Sequence, residues 1–228
     1  MTVEENLATI QSNLQETCAR IGRDPQEITV IAVTKYVTIE RAREVIKAGV
    51  TNLAENRMEG LYEKSEALND TMPNWHFIGT LQSKKVKKVI DLVDYLHSLD
   101  RLSLAKEINK RAQNKIPCFV QVNVSGETSK QGLKPEEVDS FIEKLKEFEQ
   151  IQIVGLMTMA PHVNDDTTIR NCFRELRELR DRIASRKLIH APCSYLSMGM
   201  SNDYQIAIEE GATHIRIGSH LVGQKELR

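Results

Sequence analysis

The chain has 228 residues, 40% hydrophobic and 28% charged, with a formal net charge of -1. This ordinary balance fits one α/β barrel by length and excludes a global electrostatic pull toward nucleic acid or anionic membrane. Four scattered cysteines, Cys18, Cys118, Cys172 and Cys193, form no C-x-x-C pair and have no histidine at ligand spacing, which argues against zinc and disulfides and for a reducing, cytoplasmic setting.

The opening "MTVEENLATIQSNLQETCARIG" lacks the basic and apolar regions of a secretory leader and reads as an added helix. Short apolar, β-branched runs come next: "ITVIAVT" (28–34), "TNLA" (51–54), "WHFI" (75–78) and "DYLHS" (94–98). The second half adds "PCFVQVN" (117–123), "IQIVGLM" (151–157), "CSYLS" (193–197) and "THIRI" (213–217). These runs are largely continuous rather than alternating, as expected of parallel strands covered on both faces. None approaches the roughly 18 apolar residues of a membrane span.

Charged segments of helical period lie between them. In "TIERAREVIKAG", Ile39, Ala42, Val45, Ile46 and Gly49 share one face, with Gly49 where a helix C-cap glycine belongs. Lys84, Lys85, Lys87 and Lys88 fall at helical spacing and read as a solvated face rather than a nucleic-acid patch. Asp100 is a candidate cap for "RLSLAKEINKRAQNK", and Pro135 opens "EEVDSFIEKLKEFE" just inside a helix start. "TTIRNCFRELRELRDRIASRK" is the longest helix of the second half, with Ile169, Phe173, Leu176 and Leu179 on one stripe.

Eight strand–helix units at a spacing of roughly 20 to 40 residues predict a single-domain α/β (β/α)8 TIM barrel over 1–228 with an extra N-terminal helix. A doubly wound sheet would favour a G-x-G-x-x-G turn after the first strand, and none is present. In a barrel, chemistry gathers where strands end. The strand reading places Lys35, Glu55, Asn56, Gly79, Thr80, Met157 and Thr158 there, with 197–201 after the seventh strand and 216–219 closing the eighth.

A lysine at the end of an apolar run, as in "AVTKYV", is expected to be partly desolvated, which favours the neutral amine that Schiff-base chemistry requires. A snorkelling lysine is the plainer alternative. "LSMGMSNDY" and "IRIGSHLVG" place glycine and serine after strands seven and eight, where backbone N–H groups and hydroxyls can hold a phosphate; ordinary turns use the same residues. Arg216, one residue past an isoleucine read as inward-facing, sits in a buried strand, where a guanidinium needs a partner or a ligand. An amine, a phosphate cup and an arginine together suit an aldehyde that carries a phosphate, such as pyridoxal 5'-phosphate.

The segments "AVTKYV", "LAENRMEGLYEK", "WHFIGTLQSKKVKKV", "LMTMAP" and "LSMGMSNDYQIAIEEGATHIRIGSHLVG" resemble the pyridoxal phosphate homeostasis family nearly end to end. That family is similar to the barrel domain of alanine racemase without its second, β-rich domain. The resemblance implies a chain that carries or buffers intracellular pyridoxal phosphate without efficient catalysis, passing it to pyridoxal phosphate-requiring apo-enzymes, and a monomer. It implies that Lys35 forms the internal aldimine. Ser201 with the backbone of Met200 would hold the phosphate, together with Gly218 and Ser219. Arg216 would face the pyridine nitrogen, and Asn56 would lie near the phenolic oxygen. His76, inside a strand, would pack or support a neighbour. Lys84, often asparagine in such proteins, and Val222, commonly phenylalanine, depart from the pattern away from these residues.

Three alternatives stay open. A weak pyridoxal phosphate-dependent amino-acid racemase would need an acid opposite Lys35; Tyr36, Tyr195 and Tyr204 are the tyrosines near these motifs. A Schiff-base aldolase would use Lys35 without cofactor. A nucleic-acid or partner-binding module would rest on the lysine run.

Overall fold

The computed structural model describes residues 1–128 and 130–223. Eight strands close into a parallel barrel in sequence order: β1 Thr29–Val33, β2 Asn52–Glu55, β3 Asn74–Phe77, β4 Tyr95–Leu99, β5 Ile116–Gln121, β6 Ile151–Met157, β7 Tyr195–Met200 and β8 His214–Ile217. Closure comes from the pairing of β1 with β8, where Ile31 faces Arg216 in register. The helices are α1 Val3–Ile21, α2 Ile39–Lys47, α3 Met58–Ala67, α4 Val86–Val89, α5 Leu102–Arg111, α6 Val138–Leu145, α7 Asp166–Ser185, α8 Tyr204–Glu209 and α9 Ser219–Val222. The expected barrel with its added N-terminal helix is the fold observed.

Strand alternation divides the core in two. Leu53, Leu96, Ile215 and Ile217 point outward and join Val45, Leu104 and Phe173 of the helices in one large apolar cluster. Toward the barrel axis a small cluster of Ile31, Val33 and Ala54 remains, and the rest of that interior is polar or aromatic: His76, His97, Phe119, Ser197, His214 and Arg216 are all buried. The inward orientation expected for Ile215 is therefore reversed. Helices cover the outer face of the sheet, so isoleucine is better buried there, and period two then turns Arg216 inward.

Local chemistry accounts for most element ends. Thr2 and Glu5 form a capping box on α1, and Gly22 ends that helix at φ 70°. Thr38 caps α2, whose C-cap is Ala48, so Gly49 lies one position beyond the cap with φ 104°. Asp100 does not cap α5: its carboxylate pairs with Arg101, which occupies the N-cap without a side-chain capping bond. Pro135 opens a 3-10 turn, Pro135–Glu137, that leads into α6. The lysine run splits between a 3-10 turn at Ser83–Lys85 and the single turn of α4. Among the described residues no helix is long and apolar enough to cross a membrane.

Candidate functional site

The C-terminal ends of the strands surround a cavity of about 890 Å³. All seven residues that the family resemblance assigns to the cofactor line it: Lys35, Asn56, Met200, Ser201, Arg216, Gly218 and Ser219. They come from four strand ends that closure brings to one mouth. Met157 and Thr80 join them, whereas Glu55, Thr158 and Ser197 lie buried beneath the rim. Ser197 sits inside β7 rather than in the loop after it.

Lys35 stands two residues beyond β1 in a turn closed by the Val37 N–H donating to Thr34 O at 3.3 Å. It is exposed, so the expected desolvation is not supplied by the barrel rim. Tyr36 comes next at φ 69°, a left-handed conformation that costs a non-glycine residue roughly 1–2 kcal/mol. Two cations lie over the Tyr36 ring, Lys35 Nζ at 5.8 Å and Arg57 Cζ at 5.6 Å from its centroid. Tyr36 is also the one tyrosine of the three that lines the cavity. Tyr195 begins β7 at the opposite end of the barrel, and the Tyr204 hydroxyl accepts from Asn13 Nδ2 at 3.0 Å.

Asn56 stands just past β2, and its Oδ1 is buried without a hydrogen-bond partner. Its backbone is pressed by Gly79 from the next loop, where a Cβ would stand 2.0 Å from Asn56 O. Only glycine allows that approach. An unpaired buried acceptor beside a cavity is a costly feature that a ligand donor would relieve.

Two loops close the other side. Gly199, at φ 92°, turns β7 toward α8 where a Cβ would lie 2.6 Å from the Ala207 Cβ. The Met200 N–H donates to Asp203 Oδ1 at 2.5 Å, and the Asp203 N–H returns a bond to Met200 O at 3.1 Å. The backbone donor expected from Met200 is thus committed to ordering its own loop. Burial pushes the Asp203 carboxyl up, partly offset by that N–H and by the Arg216 charge. Ser201 Oγ accepts from the His220 N–H at 3.5 Å, which links this loop to Gly218 and Ser219 at the start of α9.

Arg216 forms the floor of the cavity. Its side chain is buried, with Nη1 donating to Ser197 Oγ at 2.6 Å and Nη2 donating to Thr158 O at 2.9 Å. Burial lowers the guanidinium to about 10, which leaves it charged at neutral pH. With Lys35 and Lys130 it makes three cations on the lining against one carboxylate, Asp203. Lys130 is already paired with Glu127, and the remaining positive excess favours an anion.

Gln121, Lys130 and His162 also line the cavity and were not among the expected residues. Gln121 ends β5, and the rule that found Asn56 would have found it. Lys130 lies mid-loop, where strand reading gives no signal; its Nζ donates to Ala160 O at 2.9 Å and pairs with Glu127 at 3.0 Å.

Known proteins are similar to this chain over nearly its whole length. The family model "Alanine racemase, N-terminal domain" matches residues 6–226. A pyridoxal phosphate homeostasis protein of Aquifex aeolicus is 40% identical over 99% of this chain and 100% of its own length. The chain belongs to the pyridoxal phosphate homeostasis protein family. The family member of that name from Escherichia coli K12 is 32% identical over 98% of this chain and 97% of its own length. Among solved structures, PipY of Synechococcus elongatus, determined with PLP bound, superposes with a TM-score of 0.85 at 29% identity, covering 97% of this chain and all of PipY. Alanine racemase from Corynebacterium glutamicum shares the fold, with a TM-score of 0.70 at 13% identity over 99% of this chain and 61% of its own.

Proposed function

We propose that this chain binds pyridoxal 5'-phosphate at the mouth of the barrel and serves its intracellular homeostasis as a carrier or buffer, with Lys35 as the point of covalent attachment. The observation that carries the reading is the convergence of one exposed amine, one buried guanidinium and two glycine–serine loops on a single cavity. The donor set would suit the cofactor: Lys35 would take its aldehyde, Ser201, Gly218 and Ser219 would hold its phosphate, and a hydrogen-bond donor would relieve Asn56 Oδ1. When bound, the cofactor supplies an aldehyde carbon that amines can reach and exchange.

Three residues of the chain favour holding over turnover. Arg216 has donors only and keeps its proton, so it would hold a ring nitrogen without protonating it and would restrain the ring as an electron sink. Tyr36 stands on the same loop as Lys35 rather than across the cavity from it, so it does not supply the opposed acid that two-base racemisation requires. Exposure of Lys35 leaves the amine open to solvent and to incoming amines, which suits exchange with pyridoxal phosphate-requiring apo-enzymes. A monomeric, cytoplasmic protein is consistent with this role.

The test is Lys35→Ala, with binding of pyridoxal phosphate followed by equilibrium dialysis. Covalent retention should vanish while weaker, phosphate-competed binding persists through the two loops. Unchanged retention in the variant contradicts the role of Lys35, and loss of all binding contradicts an independent phosphate cup.

A further inference from the structure

A line of hydrogen bonds crosses the barrel interior from its base to Arg216. Asn52 Oδ1 lies 3.0 Å from His76 Nε2, His76 Nδ1 lies 2.9 Å from His97 Nε2, and His97 Nδ1 lies 2.9 Å from Ser197 Oγ. Arg216 Nη1 completes the line at 2.6 Å from Ser197 Oγ. We propose that His97 and Ser197 are positioning residues, through which this one-directional chain fixes the Arg216 guanidinium at the floor of the cavity. Its consequence for a bound ligand rests on the function proposed above.

The direction comes from counting protons. Arg216 can only donate, so Ser197 Oγ accepts from it. At the base, Asn52 Oδ1 also receives Asn74 Nδ2 at 3.4 Å, which marks it as an acceptor and His76 Nε2 as the protonated nitrogen. A neutral imidazole carries one N–H, so His76 Nδ1 is bare and accepts from His97 Nε2. The same count leaves His97 Nδ1 bare, and the single Ser197 proton goes there. The serine lone pairs are then left for Arg216. No donor faces a donor anywhere along the line.

The rings are held in place as well as paired. His76 stacks on Tyr95 at 4.7 Å, and His97 stacks on Phe119 at 4.3 Å. Neutrality is enforced by surroundings: burial, helped by His214, drives His76 down to about 3, and burial with His76, Arg216 and His214 drives His97 well below its ordinary value. The titratable groups facing the pair are His214, Tyr95 and Arg216. With His97 in place, Ser197 is an obligate acceptor. Without it, the serine proton can turn toward the guanidinium, and Arg216 loses its fixed lateral support.

Two measurements decide the matter. In 15N-labelled protein free of cofactor, long-range proton–nitrogen correlations should show His76 and His97 both as Nε2–H tautomers that do not titrate between about pH 8 and pH 5. Titration of either ring in that range, or an Nδ1–H tautomer, overturns the chain. With pyridoxal phosphate bound, His97→Leu and Ser197→Ala should both shift the visible absorbance and weaken retention about tenfold, equivalent to one hydrogen bond to a charged group. His97→Gln, which keeps a donor and an acceptor, should restore the wild-type spectrum. Folded His97→Leu and Ser197→Ala proteins with wild-type spectra overturn the positioning role. Failure of wild-type protein to bind pyridoxal phosphate sinks the proposed function instead, and the nitrogen correlations still judge the chain.

Discussion

Lys64 carries an ammonium into the interior beside the site: its Nζ lies 2.9 Å from Glu55 Oε1, with side-chain exposures of 6% and 2%. Thr34 Oγ1 donates to the same carboxylate oxygen at 2.8 Å, so the residue before Lys35 is tied to β2 and, through Lys64, to α3. Gly60 completes the enclosure, since a Cβ there would stand 2.8 Å from Glu55 Oε2. Removing one member leaves a buried charge uncompensated. Lys64→Met should cost about 3–5 kcal/mol in urea unfolding, whereas Glu55→Gln together with Lys64→Met should recover most of it. A single variant as stable as wild type would show that water reaches the carboxylate. From the sequence, Glu55 was legible as a strand-end residue, as were the seven that line the cavity. Lys64 was not, because inside "MEGLYEKSEA" it reads as one more solvated helix lysine. Its burial depends on α3 lying over Glu55, which no local pattern encodes.

Among elements, α1 is the main departure from a regular barrel. Among the described residues the eighth strand is followed by α9, four residues long, which is too short to cover that strand's share of the sheet. α1 packs on α8, α9 and α2 and buries Val3, Leu7, Ile10, Leu14 and Cys18 there. The N-terminal helix thereby closes the ring that the last unit leaves open. Leu14→Ala should destabilise the whole barrel by about 2–5 kcal/mol, read as one cooperative transition in circular dichroism. A separate early transition would show that α1 is only an appendage. The sequence announced α1 as an added helix, but its structural duty appears only when the barrel closes. The strands were legible because β-branched runs end at turn residues, although the seventh, read as 193–197, runs on to Met200. The Asp100 cap failed for a local reason: α5 starts at Leu102, so Arg101 takes the N-cap position and the Asp100 carboxylate pairs with it instead.

The whole molecule has an unusual interior, in which buried histidines occupy positions along the barrel axis. His76 is lowered to about 3, His214 to about 4 and His97 well below 6.5, in each case mainly by burial. Above pH 6.5 these rings are neutral in both folded and unfolded chains and give stability no pH dependence. As pH falls below 6.5 the unfolded chain takes up protons that the folded chain refuses, so stability falls with pH. Each histidine contributes up to about 1.4 kcal/mol per pH unit in that window. Urea midpoints should therefore drop steeply between about pH 6.5 and 4.5, above the range where the Glu209 carboxyl, held low by Arg170, titrates. A flat profile across that interval would mean that these rings are hydrated or charged in the fold. The barrel itself was legible from eight apolar runs. Its polar axis was not, because His76 was read only as packing or supporting a neighbour and His97 carried no reading, until closure placed both in line with Arg216.

The most direct test of cofactor attachment at Lys35 is borohydride reduction of the purified protein incubated with pyridoxal phosphate, with peptide mapping of the product. A visible absorbance band that reduction abolishes is expected, with the modification on the peptide containing Lys35. A protein that stays colourless and unmodified, or one labelled only at other lysines, would contradict that attachment.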